Sequence, residues 1–229
     1  MDCKLPFKDL QKVYCINVKE NVIRKKFMEN QFKKLNINPN IIEFIDAITP
    51  ESEEYKKEIN NLKYKNKIAQ AISLSHKKIW DDIIKNKYYA ALVLEDDIEF
   101  NIDYLNNCKN INIFCSEFKE KKYFIHLLSS YPEKIINKNK NINNSIANVN
   151  IKYGVGAYIL SYNSALFLCH EKWFYPITQP IDDYMWSIKR KMAFKDQYAF
   201  LPFICQNTSQ PKTRCFKQRV VFSSNFKVI

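Results

Sequence analysis

The sequence predicts an α/β fold with a mostly parallel central sheet flanked by helices, and three observations carry that prediction. Lys12 to Val18 (Lys-Val-Tyr-Cys-Ile-Asn-Val) is strand-like, and Ile23, Phe27, Phe32 and Leu35 then recur at helical spacing. Ile41 to Ile45 follows as a second short strand, and a strand–helix–strand unit of this length is a right-handed crossover joining parallel strands. Next, Tyr88-Tyr89-Ala90-Ala91-Leu92-Val93-Leu94 runs without a polar interruption into Glu95-Asp96-Asp97, which reads as a strand buried on both faces in the middle of such a sheet. Finally, no internal repeat and no linker divides the chain, so residues 1–229 are expected to form a single domain with a basic tail from about residue 206.

The remaining elements follow from the same periodicities. Asn36 to Asn40, with Pro39, ends the first helix, and Glu51 to Lys67 is a charged surface excursion. A longer helix has Ile68, Ile72, Ile79 and Ile83 as its buried stripe and carries Ser75, His76 and Trp80. Past the acidic triplet, Tyr104 to Phe118 is expected to be helical and Tyr123 to Leu128 a buried strand. The lysine- and asparagine-rich run from Lys134 to Asn144 has few apolar anchors and predicts a mobile loop. Ile151 to Leu160 is expected as a strand holding both glycines, followed by a helix from Asn163 to about Trp173. Ile181, Met185, Ile188 and Met192 trace another helix face, and Ala199 to Cys205 a last apolar strand.

Composition narrows the function. With 46% hydrophobic and 26% charged residues, the 229-residue chain has an ordinary globular composition, and no stretch approaches the roughly 20 apolar residues that span a bilayer. The opening Met1-Asp2-Cys3-Lys4-Leu5-Pro6 lacks the basic and apolar pattern of a signal peptide, so a cytoplasmic location is expected. Seven cysteines without a C-x-x-C pair suggest buried thiols, neither a disulfide framework nor a zinc site. The formal charge of +12 fits a solvated basic surface or attraction to an anionic partner, a nucleic acid or an acidic membrane. Only Gly154 and Gly156 occur, which excludes a glycine-rich phosphate cradle and leaves the charge of any bound diphosphate to a metal and to basic side chains.

The candidate site is the acidic triplet. Ligands of open α/β sheets bind outside the carboxyl ends of strands, and the apolar strand delivers Glu95, Asp96 and Asp97 there. Adjacent carboxylates repel one another, and a hard divalent ion, Mn²⁺ or Mg²⁺, offsets that repulsion with the oxygen ligands it prefers. Acids just past a strand also serve as plain solvated turns, and His76, on periodicity alone, reads as a packed or surface histidine.

Several stretches in order resemble glycosyltransferase family 25, which includes lipooligosaccharide and collagen-type galactosyltransferases. They are Val13-Tyr14-Cys15-Ile16-Asn17-Val18 with Arg24, Phe44-Ile45-Asp46-Ala47, Ser75-His76 with Trp80, Val93 to Asp97, Gly156 to Ser161 with Ala165, and Pro180-Ile181-Asp182. The match runs from about Lys12 to Gln206. The resemblance implies a GT-A-like, Rossmann-type domain, a UDP-hexose donor (galactose or glucose) and inverting transfer to a glycan or lipid-linked glycan such as a lipooligosaccharide core. It puts Asp97 on a metal, Glu95 on the metal and toward the donor ribose, and Asn17, Arg24, Asp46, Ser75, His76 and Asp96 on the donor side. Two departures stand out: Asn66-Lys67-Ile68 replaces the glycine that commonly opens the Ser-His helix, and Gln206-Asn207-Thr208-Ser209 matches loosely.

For the catalytic base, the pattern Pro180-Ile181-Asp182-Asp183 offers two acids at a helix start. Neighbouring helical residues point about 100° apart, so the buried stripe leaves Asp182 in line with Trp186 and Lys189, and Asp183 with Ser187 and Arg190. An acid beside an aromatic ring suits a sugar site, and Asp182 also falls on the family's Pro-Val/Ile-Asp pattern; Asp182 is the expected general base and Asp183 a capping acid. A lipid-linked acceptor further implies peripheral attachment to the anionic inner face of a membrane, with no nucleic acid as partner. The rival readings are a metal-dependent nuclease or nucleotidyl transferase built on the same triplet, and a non-catalytic basic binding module.

Overall fold

The computed structural model describes residues 9–101, 115, 123–128, 136–143, 146–149, 155–170, 174–185, 197–200 and 205–207. The opening crossover forms as the sequence predicts. Strand β1 (Lys12–Asn17) leads into helix α1 (Val22–Lys34) and returns as β2 (Ile42–Asp46), parallel to β1 with Asn17 opposite Asp46. The charged excursion holds a short helix, α2 (Glu53–Lys57), and the long helix α3 (Lys67–Asn86) leads into β3 (Ala91–Glu95). At Asn66-Lys67-Ile68, the Asn66 side chain accepts from the amides of Ile68 and Ala69, so an asparagine N-cap opens α3.

Further strands are β4 (Ile98–Phe100), β5 (Phe124–His126), β6 (Ile136–Asn143), β7 (Ile146–Val149), β8 (Ala157–Leu160), β9 (Gln197–Phe200) and β10 (Cys205–Asn207), with helix α4 (Tyr162–Leu168) after β8. The eight-stranded sheet has the order β2-β1-β3-β8-β5-β9-β7-β6, and β4 and β10 pair antiparallel by themselves. Following the pairings, β1, β2, β3, β5, β6 and β9 run one way and only β7 and β8 the other. The sheet is thus mostly parallel in strand direction, with helices against it.

Alternation along the strands divides two cores. Val13, Cys15, Leu92, Leu94 and Ile125 pack with Met28 and Phe32 of α1, whereas Tyr14, Val93, Phe124 and Tyr158 pack with Leu74, Ile79, Trp80 and Ile83 of α3. Burial on both faces is why β3 carries no polar residue before Glu95.

Three expectations need correction. The run expected to be a loop contains β6, paired with β7 through backbone bonds that do not depend on side-chain polarity, and a strand at the sheet edge tolerates charged and amide side chains. The predicted strand across both glycines is confined to Ala157–Leu160, with Gly156 in a turn before it and residues 151–154 outside the described set. The expected helix stripes are each broken at one place: on α1 Ile23 is 54% exposed and Met28 takes its place on the buried face, and on α3 Ile72 is 38% exposed while Leu74 is buried. The predicted helix from Tyr104 to Phe118 and the tail from 208 also lie outside the described residues, apart from a helical Cys115.

Candidate active site at the carboxyl edge

Because β1, β2 and β3 are parallel and in register, Asn17, Asp46 and the acidic triplet come out at one edge of the sheet. Helix α1 starts immediately behind β1, its first turn tied by the Asn21 side chain accepting from the Arg24 amide at 3.2 Å. That turn directs Arg24 at the triplet. Its guanidinium donates to Asp96 Oδ1 at 2.8 Å and lies 3.9 Å from Asp97 Oδ2, and Asn17 Nδ2 donates to Asp96 Oδ2 at 2.7 Å. Both oxygens of Asp96, which is 7% exposed, therefore already hold protein partners.

Asp97 is different. Its side chain is about a third exposed, at 35%, yet its Oδ1 is buried and has no hydrogen-bond partner among the described residues. Desolvation, and after it the neighbouring Glu95 carboxylate, pushes the Asp97 carboxyl up to about 6 against the opposing pull of Arg24. A buried, partnerless acceptor beside a second carboxylate is the electrostatic setting a cation relieves.

Glu95 projects on the α3 side of the sheet. Its amide donates to the Gly156 carbonyl at 2.8 Å, and a Cβ added to Gly156 would crowd Ile98 Cδ1 at 3.0 Å and Leu128 Cδ2 at 3.3 Å while meeting Glu95 Oε2 at an ordinary 3.7 Å, so the bare glycine lets this turn pack closely on the apolar side chains beside the site. His76, fully buried on α3, places Nε2 3.4 Å from Glu95 Oε1. Asp182 joins the same neighbourhood through its Oδ1, which accepts from the Val155 amide at 3.1 Å, one residue from Gly156.

The residues singled out in the sequence are therefore not equivalent. Asn17, Arg24, Glu95, Asp96, Asp97 and His76 are linked by contacts at one edge, and Asp182 reaches it through the 155–156 turn. Asp46 sits exposed at the end of β2. Ser75 points elsewhere: it donates to the Ala71 carbonyl and accepts from the Ile48 amide, each at 2.9 Å, which pins the chain after β2 to α3. Asp183 is partly buried in the turn of helix at residues 181–185, while Trp186 and Lys189 lie outside the described residues. Sequence reasoning gave no role to Tyr158, whose hydroxyl meets both His76 and Trp80; the signal was a buried tyrosine next to the glycines.

Among the described residues no three His, Cys, Asp or Glu side chains converge into a self-sufficient metal site. A magnesium-type site in a nucleotide-dependent enzyme commonly needs only one or two carboxylates, with phosphate oxygens and water completing the shell. Glu95 and Asp97 meet that requirement.

Acids gathered at the carboxyl edge of a mostly parallel sheet define the class, an α/β protein with a ligand site at its strand ends. Residues 10–185 match the model of "Glycosyltransferase family 25 (LPS biosynthesis protein)", and the chain belongs to that family. It is a glycosyltransferase, which decides between the readings left open by the triplet. No curated protein matches the chain. A solved glycosyltransferase involved in the glycosylation of the major capsid of PBCV-1 is similar over 79% of this chain and 67% of its own at 12% identity, with a TM-score of 0.36, a likeness too faint to bear on function.

The Asp96 bracket yields a stability prediction. Asp96→Ala removes the carboxylate that accepts from both Asn17 and Arg24, and losing hydrogen bonds to a charged group costs about 1.5–3 kcal/mol. Denaturant unfolding is expected to show a loss of that order, and an unchanged midpoint would remove Asp96 from this structural role.

Proposed function

We propose that the protein is an inverting, metal-dependent hexosyltransferase of GT-A-like architecture, moving galactose or glucose from a UDP-sugar to a hydroxyl of a glycan, with a lipooligosaccharide or lipopolysaccharide core as the acceptor. The observation that carries this reading is the division among the three acids. Asp96 is consumed by Asn17 and Arg24, while Asp97 keeps a buried oxygen without a partner beside Glu95. Glu95 and Asp97 would hold Mn²⁺ or Mg²⁺, which supplies positive charge to the leaving diphosphate.

The chain's own residues do the rest. Arg24, anchored by Asp96 and close to Asp97, adds fixed positive charge at the strand ends toward the diphosphate. Asn17 and Asp46, opposite one another at the ends of β1 and β2, flank the place for the nucleoside. Asp182, oriented by the Val155 amide, takes the proton of the acceptor hydroxyl as that oxygen attacks the anomeric carbon from the face opposite the diphosphate. One displacement inverts the configuration, so no covalent nucleophile is required.

Thermal unfolding with UDP and Mn²⁺ tests the reading. A ligand that binds only the native state stabilises it by RT ln(1 + L/Kd), L being its free concentration, so the melting temperature is expected to rise with the concentration of UDP and Mn²⁺ together and to fall back on chelation. An equal rise with oligonucleotides, or none with UDP, would overturn it.

A lipid-linked acceptor places the enzyme on the inner, anionic face of a membrane, where the formal charge of +12 favours binding. No helix among the described residues is long and apolar enough to cross a membrane. Each basic residue near such a surface contributes about 1 kcal/mol, so a cluster suffices for reversible attachment. In flotation with phosphatidylserine vesicles, binding is expected to fall as salt rises and to vanish on neutral lipid; binding indifferent to lipid charge would refute the attachment.

A further inference from the structure

Behind Glu95 lies a buried string of hydrogen bonds that the transfer chemistry does not use directly. Trp80 Nε1 donates to the Tyr158 hydroxyl at 2.9 Å, that hydroxyl lies 2.8 Å from His76 Nδ1, and His76 Nε2 faces Glu95 Oε1 at 3.4 Å. Trp80, His76 and Tyr158 are all fully buried, out of contact with bulk solvent.

Donor and acceptor accounting then assigns every proton. An indole can only donate, so the Tyr158 oxygen accepts from Trp80. Burial pushes the Tyr158 phenol well above its ordinary value, so it keeps its own proton to give. His76 Nδ1 is the acceptor within reach, and with Nδ1 accepting, the imidazole carries its proton on Nε2, aimed at Glu95.

We propose that His76 is a positioning residue, held as the Nε2–H tautomer by the Trp80–Tyr158 pair, and that it fixes the rotamer of the Glu95 carboxylate for the donor. The assignment rests on the donor-side reading of Glu95 given above. The rings have little freedom to depart from this arrangement. Tyr158 is stacked between Phe124 at 4.5 Å and His76 at 5.7 Å, and Trp80 packs on Tyr184 at 6.4 Å with Phe174 edge-on at 5.9 Å. The 3.4 Å separation to Glu95 is at the long end of hydrogen bonding.

The test begins with nitrogen NMR on the ligand-free wild-type protein, in which three histidines must be distinguished. The signal lost in His76→Gln identifies His76, and its shifts are expected to show Nε2 protonated and Nδ1 bare. Binding of UDP with Mn²⁺ by calorimetry is the second readout. A glutamine amide reaches the position of Nε2 and keeps a donor toward Glu95, whereas an asparagine amide reaches only that of Nδ1. His76→Gln is therefore expected to bind close to wild type, while His76→Asn and Tyr158→Phe lose about 10- to 100-fold, the usual cost of an outer hydrogen-bond partner. A wild-type proton on Nδ1 or on both nitrogens overturns the proposal, as does equal binding by the Gln and Asn variants. If the wild-type protein binds no UDP, the donor-site reading fails, and the tautomer measured without ligand still decides the arrangement around His76.

Discussion

Asp97→Asn is expected to lose metal-dependent transfer by about 10² to 10³-fold or more, the range seen when a group stabilising transition-state charge is removed, while the fold survives. The wild-type carboxyl is raised to about 6 from 3.8, which means that the native state favours its neutral form. The native protein then binds this proton more tightly than the unfolded chain does, so stability from this group is greatest below the unfolded value and declines as pH rises to about 6. Above that pH the wild type carries an unfavourable charge that asparagine lacks. The variant is expected to melt at or above the wild-type temperature at pH 8, with the difference vanishing near pH 3. Near-normal turnover in saturating Mn²⁺ would sink the metal assignment; a lower melting temperature at pH 8 would contradict the electrostatic account of the site.

Asp182→Asn and Asp183→Asn are expected to separate. The asparagine side chain at 182 keeps an oxygen to accept from Val155, so the turn before β8 holds and UDP still binds. What is lost is the base, and transfer is expected to fall about 10² to 10⁴-fold. Asp183 lies beside it in the first turn of a helical segment at residues 181–185, where a carboxylate favours the helix end by about 0.3–1 kcal/mol. Its amide variant is expected to melt slightly lower with activity near wild type. Steady-state rates, UDP calorimetry and melting curves on both variants distinguish them, and the opposite pattern would move the base to Asp183.

Much of the framework was legible because burial leaves a plain mark on sequence. A strand covered on both faces has to be apolar throughout, and this requirement made β3 and the abrupt start of the triplet visible without coordinates. The crossover from β1 to β2 was equally readable from periodicity, and with it the edge at which Asn17, Asp46 and Glu95 emerge. The five described residues of the 181–185 segment likewise bury Ile181 and Met185 as their spacing requires.

The first three strands, the acids at their ends and the family pattern were thus legible without coordinates, because each of these is local or periodic. How the acids divide their work came only with the folded arrangement. The partners of Asp96 are 79 and 72 residues away, so nothing within the triplet says which carboxylate is already paired and which oxygen is left without a partner. The same holds for β8, which enters antiparallel between β3 and β5 and sets Gly156 against Glu95 and Tyr158 against His76. It holds too for β6, whose lysines and asparagines carry no apolar signal while its backbone pairs with β7. Hydrogen bonds between distant segments depend on where the chain brings donors and acceptors together, and hydrophobic periodicity records only which faces are buried.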